Sequence, residues 1–205
     1  MTLNPGGERD LEASLADRWS SEHGSAYRIE SWRGQPAGAA PLQRQIQRLC
    51  ALLGEAPDDV LSGHFVPFRS KDWDSLPRRD EAALFGVKLW REVLAASPAR
   101  LIVCIGKTVA GDGIAAVCNA RPVQSMPSGW GSLSIDRYLA SDGRRILALP
   151  HLSRFSLFGD ATREACFRTA LDFGSTSLAE PPAVAPAAVA VSLQAPPPPP
   201  NTTPS

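Results

Sequence analysis

Apolar side chains recur at helical and strand periods in turn along most of this chain. Leu42, Ile46, Leu49, Cys50 and Leu53 fall three or four residues apart, with Gln43, Arg44, Gln47 and Arg48 between them. That spacing predicts an amphipathic helix, and Gly54 supplies its stop because glycine accepts the left-handed conformation that ends helices. The run 60–66 reads as a short strand broken by Pro67. A second long helix is predicted over 78–96, with Phe85, Leu89 and Val93 inward beside Trp90 and Leu94. Leu101–Ile105 is uninterrupted apolar sequence, the form of a strand buried on both faces. Gly106 ends it, and 108–117 reads as helical. The runs 133–139 and 146–149 read as further strands, and 161–173 as the last helix. Strands alternating with helices predict an α/β fold with a mainly parallel central sheet.

Composition divides the chain in two. Its 205 residues carry 21 basic and 21 acidic side chains, but beyond residue 174 the only charged one is Glu180. Nine of the 19 prolines lie in that same stretch, five of them in succession from Pro196 to Pro200. The expected organisation is a globular domain over 1–174 and a disordered Pro/Ala-rich tail over 175–205, locally polyproline II. Such a tail is either simply solvated or docks on an aromatic groove of a partner. Removing Glu180 leaves 21 basic against 21 − 1 = 20 acidic groups, which is no general nucleic-acid footprint. Contact with DNA would have to rest on local basic positions. The four cysteines show no C-x-x-C pair, so no metal site and no cofactor are predicted, and Cys104 reads as a small core residue. Reduced thiols fit a cytoplasmic setting. No stretch reaches the roughly 20 apolar residues of a membrane helix, and the first residues lack the form of a signal peptide.

Two short runs stand where an α/β protein gathers its strand ends and its ligand crevice. They are Leu3-Asn4-Pro5-Gly6-Gly7 and Pro150-His151-Leu152-Ser153-Arg154, each just after an apolar stretch. An asparagine amide can hold a water by donating and accepting at once, and glycine lets main chain approach a ligand closely. A neutral imidazole can donate a hydrogen bond to an anion that forms only in the transition state. The same residues also suit an ordinary Asn-Pro-Gly turn and a His–Ser pair capping the next turn. Between the two runs lies Gly63-His64-Phe65-Val66-Pro67-Phe68-Arg69, where His64 is either a ligand contact or a buried structural histidine. Tyr27, Trp32, Phe65 and Phe68 are stacking candidates or core residues. Arg69, Lys71, Arg78 and Arg79 either track a phosphate backbone or form a solvated surface.

In order and separation the two runs resemble the signature loops of the uracil-DNA glycosylase superfamily, over Leu3 to about Phe158. The resemblance implies a three-layer α/β sandwich and a monomer that excises a damaged or mispaired base from DNA without metal or cofactor. Asn4 would place the hydrolytic water, as in the Asn-Pro-Gly branch, with Pro5 and Gly6 turning the backbone against the nucleotide. The uracil-specific branch has Asp there, a stronger base, so slower chemistry is expected. His151 would stabilise the departing base, Ser153 would contact phosphate, and Arg154 and Phe155 would fill the vacated stack. Where the family commonly places an Asn to read the flipped base, this chain has His64, with Phe65 beside it and Trp32 as the stacking ring. Uracil is therefore only one candidate base. The family usually has Pro after the histidine, and here the residue is Leu152. It also has a full strand before its first loop, whereas only Met1-Thr2-Leu3 precede Asn4, so the natural protein is expected to begin upstream of a truncated first strand. Two further readings stay open: a noncatalytic nucleic-acid or nucleobase-binding protein of the same fold, and a hydrolase of free nucleosides or another small glycosidic substrate.

Overall fold

The computed structural model describes residues 24–173. Asn4, Pro5 and Gly6, the expected first strand and the tail lie outside the described residues. The helices are α1 (Ala26–Ile29), α2 (Pro41–Leu53), α3 (Arg79–Ala96), α4 (Asp112–Val117) and α5 (Ala161–Leu171). The strands are β1 (Leu101–Ile105), β2 (Ala120–Pro127), β3 (Ser134–Ala140) and β4 (Arg145–Leu149), hydrogen-bonded in the order β1-β4-β3-β2.

The α/β class stands, but the sheet is mixed. Among the described residues only β1 and β4 pair in parallel, whereas β3 runs antiparallel to both β4 and β2. The mainly parallel sheet expected from the sequence is not what these strands form. A tight turn joins β3 to β4, so they run antiparallel, and β2, which carries no strand signal, adds a second antiparallel pair. The β2 sequence, ARPVQSMP, includes two prolines and is largely exposed, as an edge strand can be. A hairpin rather than a crossover helix joins β2 to β3, and that connection makes them antiparallel. A bulge at Val123 interrupts the pair: Pro122 faces Tyr138, and Gln124 faces Arg137. The expected strand at 60–66 shrinks to an isolated bridge residue at His64.

Alternation along β4 feeds two cores. Ile146 and Ala148 join Ile102 and Cys104 of β1 beneath Trp90 and Leu94 of α3 and Ile114 of α4. Leu147 and Leu149 join Ile105 on the other face, beneath Ile46 and Leu49 of α2 and Phe167 of α5. Helices therefore cover both faces of the sheet. Cys104 is a core residue as expected, and burial pushes its thiol up to about 12.

Two helices pack differently from their sequence pattern. In α3 the inward row is Ala82, Gly86, Trp90 and Leu94, while Phe85 is 46% exposed and lies against Phe68 with ring centroids 5.2 Å apart. Gly86 sets this rotation, since a Cβ there would sit 2.5 Å from the Phe65 carbonyl oxygen. In α2, Gln43 belongs to the expected polar face yet is fully buried. Its amide accepts from Ala40 N and donates to the carbonyls of Ala26 and Glu30, so both polar atoms of the buried amide are partnered.

A third contact ties α2 to α5. Arg48 donates through Nε and Nη2 to the Glu164 carboxylate at 2.7 and 2.6 Å, and Gly159 N donates to the same group at 2.8 Å. The Arg48 guanidinium, then the Gly159 amide, draws the Glu164 carboxyl down from 4.5 to about 2. A depressed carboxylate contributes stability that is fully present above its unfolded-state value and is lost as pH falls through the folded one. Glu164→Gln is therefore expected to lower the urea midpoint most at pH 7. The gap to the parent chain should narrow below about pH 4.5 and close as pH nears 2. A gap independent of pH in urea titrations at successive pH values would rule out this ion pair as its source.

Candidate functional site at the carboxyl ends of the parallel strands

Because β1 and β4 are parallel, their carboxyl ends lie together. Gly106 N donates to Leu149 O at 2.9 Å and closes that end of the pair. The chain leaving β4 then turns at once. Arg154 N and Phe155 N both donate to His151 O, at 2.9 and 3.1 Å. Leu152, only 3% exposed, is anchored in the core between the sheet and helices α2 and α5. That anchor fixes the loop at the position where the resemblance would have put proline.

The turn fixes the His151 tautomer. Ser153 N donates to His151 Nδ1 at 3.3 Å, and the Ser153 hydroxyl lies 2.8 Å from the same atom. A backbone N–H can only donate, so Nδ1 must accept, and the neutral ring carries its proton on Nε2. Among the described residues Nε2 has no hydrogen-bond partner. Burial, and then the Arg154 guanidinium, hold the imidazole below its ordinary value of 6.5. At neutral pH the site therefore presents an uncharged N–H donor. Beside it Gly106 adopts φ +115°, and a Cβ there would come 3.9 Å from His151 Cδ2.

A cleft of about 310 Å³ opens between the start of α2 and this loop. Arg44 and Gln45 line it from one side, and Ser153, Arg154 and Ser156 from the other. Gln45 braces the two walls: its amide donates to Ser156 Oγ and Phe158 O and accepts from Phe158 N. On the other face of the sheet Lys107, the residue after Gly106, reaches Ser134 Oγ and Asp136 Oδ2, each at 2.6 Å. Burial raises the Asp136 carboxyl, but hydrogen bonds from Lys107 and Ser125 outweigh it and leave the group below its usual range. Sequence reasoning passed over both Arg44 and Lys107. The signal for Lys107 was its place directly after a strand-ending glycine. Arg44 reads as one more polar residue on a helix, and no local signal marks it.

The other expected site residues are dispersed. His151, Ser153 and Arg154 do come together. Trp32 precedes α2 and packs edge-to-face on Tyr27, 5.6 Å between centroids, with its indole N–H on Glu30. His64 is half-buried, and its carbonyl accepts from Trp90 Nε1 of α3. Phe65 is 1% exposed in the core beneath α3 and α4, so it offers no surface for stacking on a base. Phe155 packs against Trp130 at 6.2 Å instead of projecting as a wedge. Of the basic cluster, Arg78 pairs with Glu81 and Arg79 with Asp74. Comparison of the whole chain with protein-family models, with curated proteins and with solved structures found no match to any of the three.

Proposed function

We propose that this chain is a DNA glycosylase-like protein that hydrolyses the N-glycosidic bond of a damaged or mispaired base, uracil or a related one, flipped out of DNA. One observation carries the reading: a neutral imidazole, its tautomer set by Ser153, offers Nε2–H at the joined carboxyl ends of two parallel strands. As the bond between C1′ and the base nitrogen breaks, its electron pair leaves with the base. His151 then donates a hydrogen bond to the base oxygen where that charge collects, water adds to the cationic sugar carbon, and the proton the water loses ends on the departed base anion. Placing the water is the task of Asn4, with Pro5 and Gly6 as its turn. The uracil-DNA glycosylase-like three-layer arrangement belongs to the same proposal, supported by helices on both faces of the sheet and the parallel β1–β4 pair. So do a metal-free and cofactor-free reaction, DNA as the partner, a monomeric state and a cytoplasmic setting.

Burial of Phe65 favours a second reading, a noncatalytic nucleic-acid or nucleobase binder of this fold, because the base pocket loses a ring. Incubation with duplexes carrying uracil, hypoxanthine or a G·T mismatch, followed by alkaline cleavage at abasic sites, separates the two. Strand breaks that disappear in His151→Ala support the enzyme. Retention of the duplex on the protein without breaks supports the binder, and turnover of free nucleosides without DNA affinity supports a small-molecule hydrolase.

A further inference from the structure

Arg44 and Arg48 lie one helical turn apart on α2, and their surroundings differ sharply. Arg48 is neutralised by the bidentate Glu164 pair, and that carboxylate also accepts from Gly159 N. Arg44 has no carboxylate partner among the described residues, and neither has Arg154 across the cleft. Among the described residues no Asp or Glu lines the cleft, and no acidic residue occupies the first turn of the 13-residue helix that opens beside it. Two guanidinium groups thus face one half-open space with nothing of opposite sign among the described residues to compensate them. Guanidinium groups match phosphate oxygens through paired N–H donors, and the helix start adds a partial positive charge.

We propose that Arg44 and Arg154 form a clamp for a phosphate ester in the cleft between the start of α2 and the loop after β4. About 310 Å³ is at the lower end of small-ligand clefts, room for roughly one nucleotide unit. The division of labour follows from proton counting. Ser153 has one hydroxyl proton, and its 2.8 Å contact commits that proton to His151 Nδ1. A phosphate drawing on Ser153 would leave only the longer backbone bond to hold the imidazole. The guanidinium groups have no such commitment, so they are the donors, and Ser153 keeps its positioning role. This clamp deepens the DNA reading above but does not require base release.

The test uses the full chain and measures binding alone. Thymidine monophosphate and a single-stranded oligothymidylate are titrated against the parent chain, Arg44→Gln, Arg154→Gln and Arg91→Gln. Arg91 is an exposed cation on α3, which covers the opposite face of the sheet, and serves as the control for net charge. Each clamp variant is expected to bind about ten- to a hundredfold more weakly, the size of a lost charge-assisted hydrogen bond. Arg91→Gln should stay within about twofold. For the oligonucleotide, each clamp variant should also lower the salt slope by about one. Losses with both ligands identify a terminal phosphate monoester, and losses with the oligonucleotide alone identify a backbone phosphodiester; either supports the clamp. Equal effects of all three variants, or no binding of either probe by the parent chain, would overturn it. Neither result depends on whether a base is released, so the clamp and the glycosylase reading fail separately.

Discussion

His151→Ala is expected to lower base release by about a hundred- to a thousandfold, the range seen when one donor to a developing oxyanion is removed. The effect follows from where the proton sits. Ser153 N–H occupies Nδ1, so the imidazole faces substrate with Nε2–H and without charge. Alanine removes the donor while Leu152 still anchors the loop, so the loss should be in kcat more than in KM. Ser153→Ala keeps the backbone bond at 3.3 Å and loses the hydroxyl contact, and its effect should be smaller. The pH profile provides a second check. Burial and Arg154 place the His151 titration below 6.5, and the proposed mechanism uses the neutral form. Activity should therefore hold level from pH 8 down past 6.5 and fall only on further acidification. A variant within threefold of the parent rate would remove His151 from the chemistry, and a rate that rises as the histidine becomes protonated would overturn the neutral donor in favour of an imidazolium.

The largest stability losses are expected at two glycines that pack on Phe65. A methyl at Gly113 would meet the Phe65 ring at 2.4 Å, and one at Gly86 would meet its carbonyl oxygen at 2.5 Å. Both positions are helical, so Gly→Ala gains about 1 kcal/mol of helix propensity. Opposing that gain, overpacking typically costs about 1–3 kcal/mol. At Gly86 the obstacle is main chain, and Trp90 Nε1 pins the adjacent His64 carbonyl, so the segment has little freedom to retreat. Gly86→Ala should then lower stability by a net of about 1–2 kcal/mol, or roughly 2–8 °C in Tm for a domain of this size. Gly113→Ala should fall in the same range, and Phe65→Leu in the same chain should recover part of the loss by shortening the ring. Calorimetry that finds either single variant as stable as the parent would show that Phe65 moves freely.

Some of this architecture was legible and some was not, for identifiable reasons. The helix α2, its stop at Gly54, the β1 run and the step from β4 into Pro150-His151 all carry strong local patterns, and the first and last of these meet at the site. β2 escaped notice because an exposed edge strand need not alternate, and its prolines argue against a strand at all. That omission, together with the tight turn that makes β3 and β4 antiparallel, separates the mixed sheet from the mainly parallel one expected. The rotation of α3 was hidden because Phe85 looks like core by composition, whereas the close approach that decides the face belongs to Gly86. Phe65 looked like a pocket residue by its position beside His64, yet the ring packs beneath two helices. Arg44 shows the general limit. What distinguishes it from Arg48 is a carboxylate on another helix, 116 positions along the chain from Arg48, and no local window contains that information.

The border strand β2 has one more consequence. A proline at Pro122 cannot donate to an incoming chain, and the irregularity at Val123 bends the ribbon just where a neighbour would have to align. Sheet growth from that rim by stacking of further molecules is thereby discouraged. The features that concealed the strand from pattern reading also help keep concentrated solutions of the protein from building fibres along it.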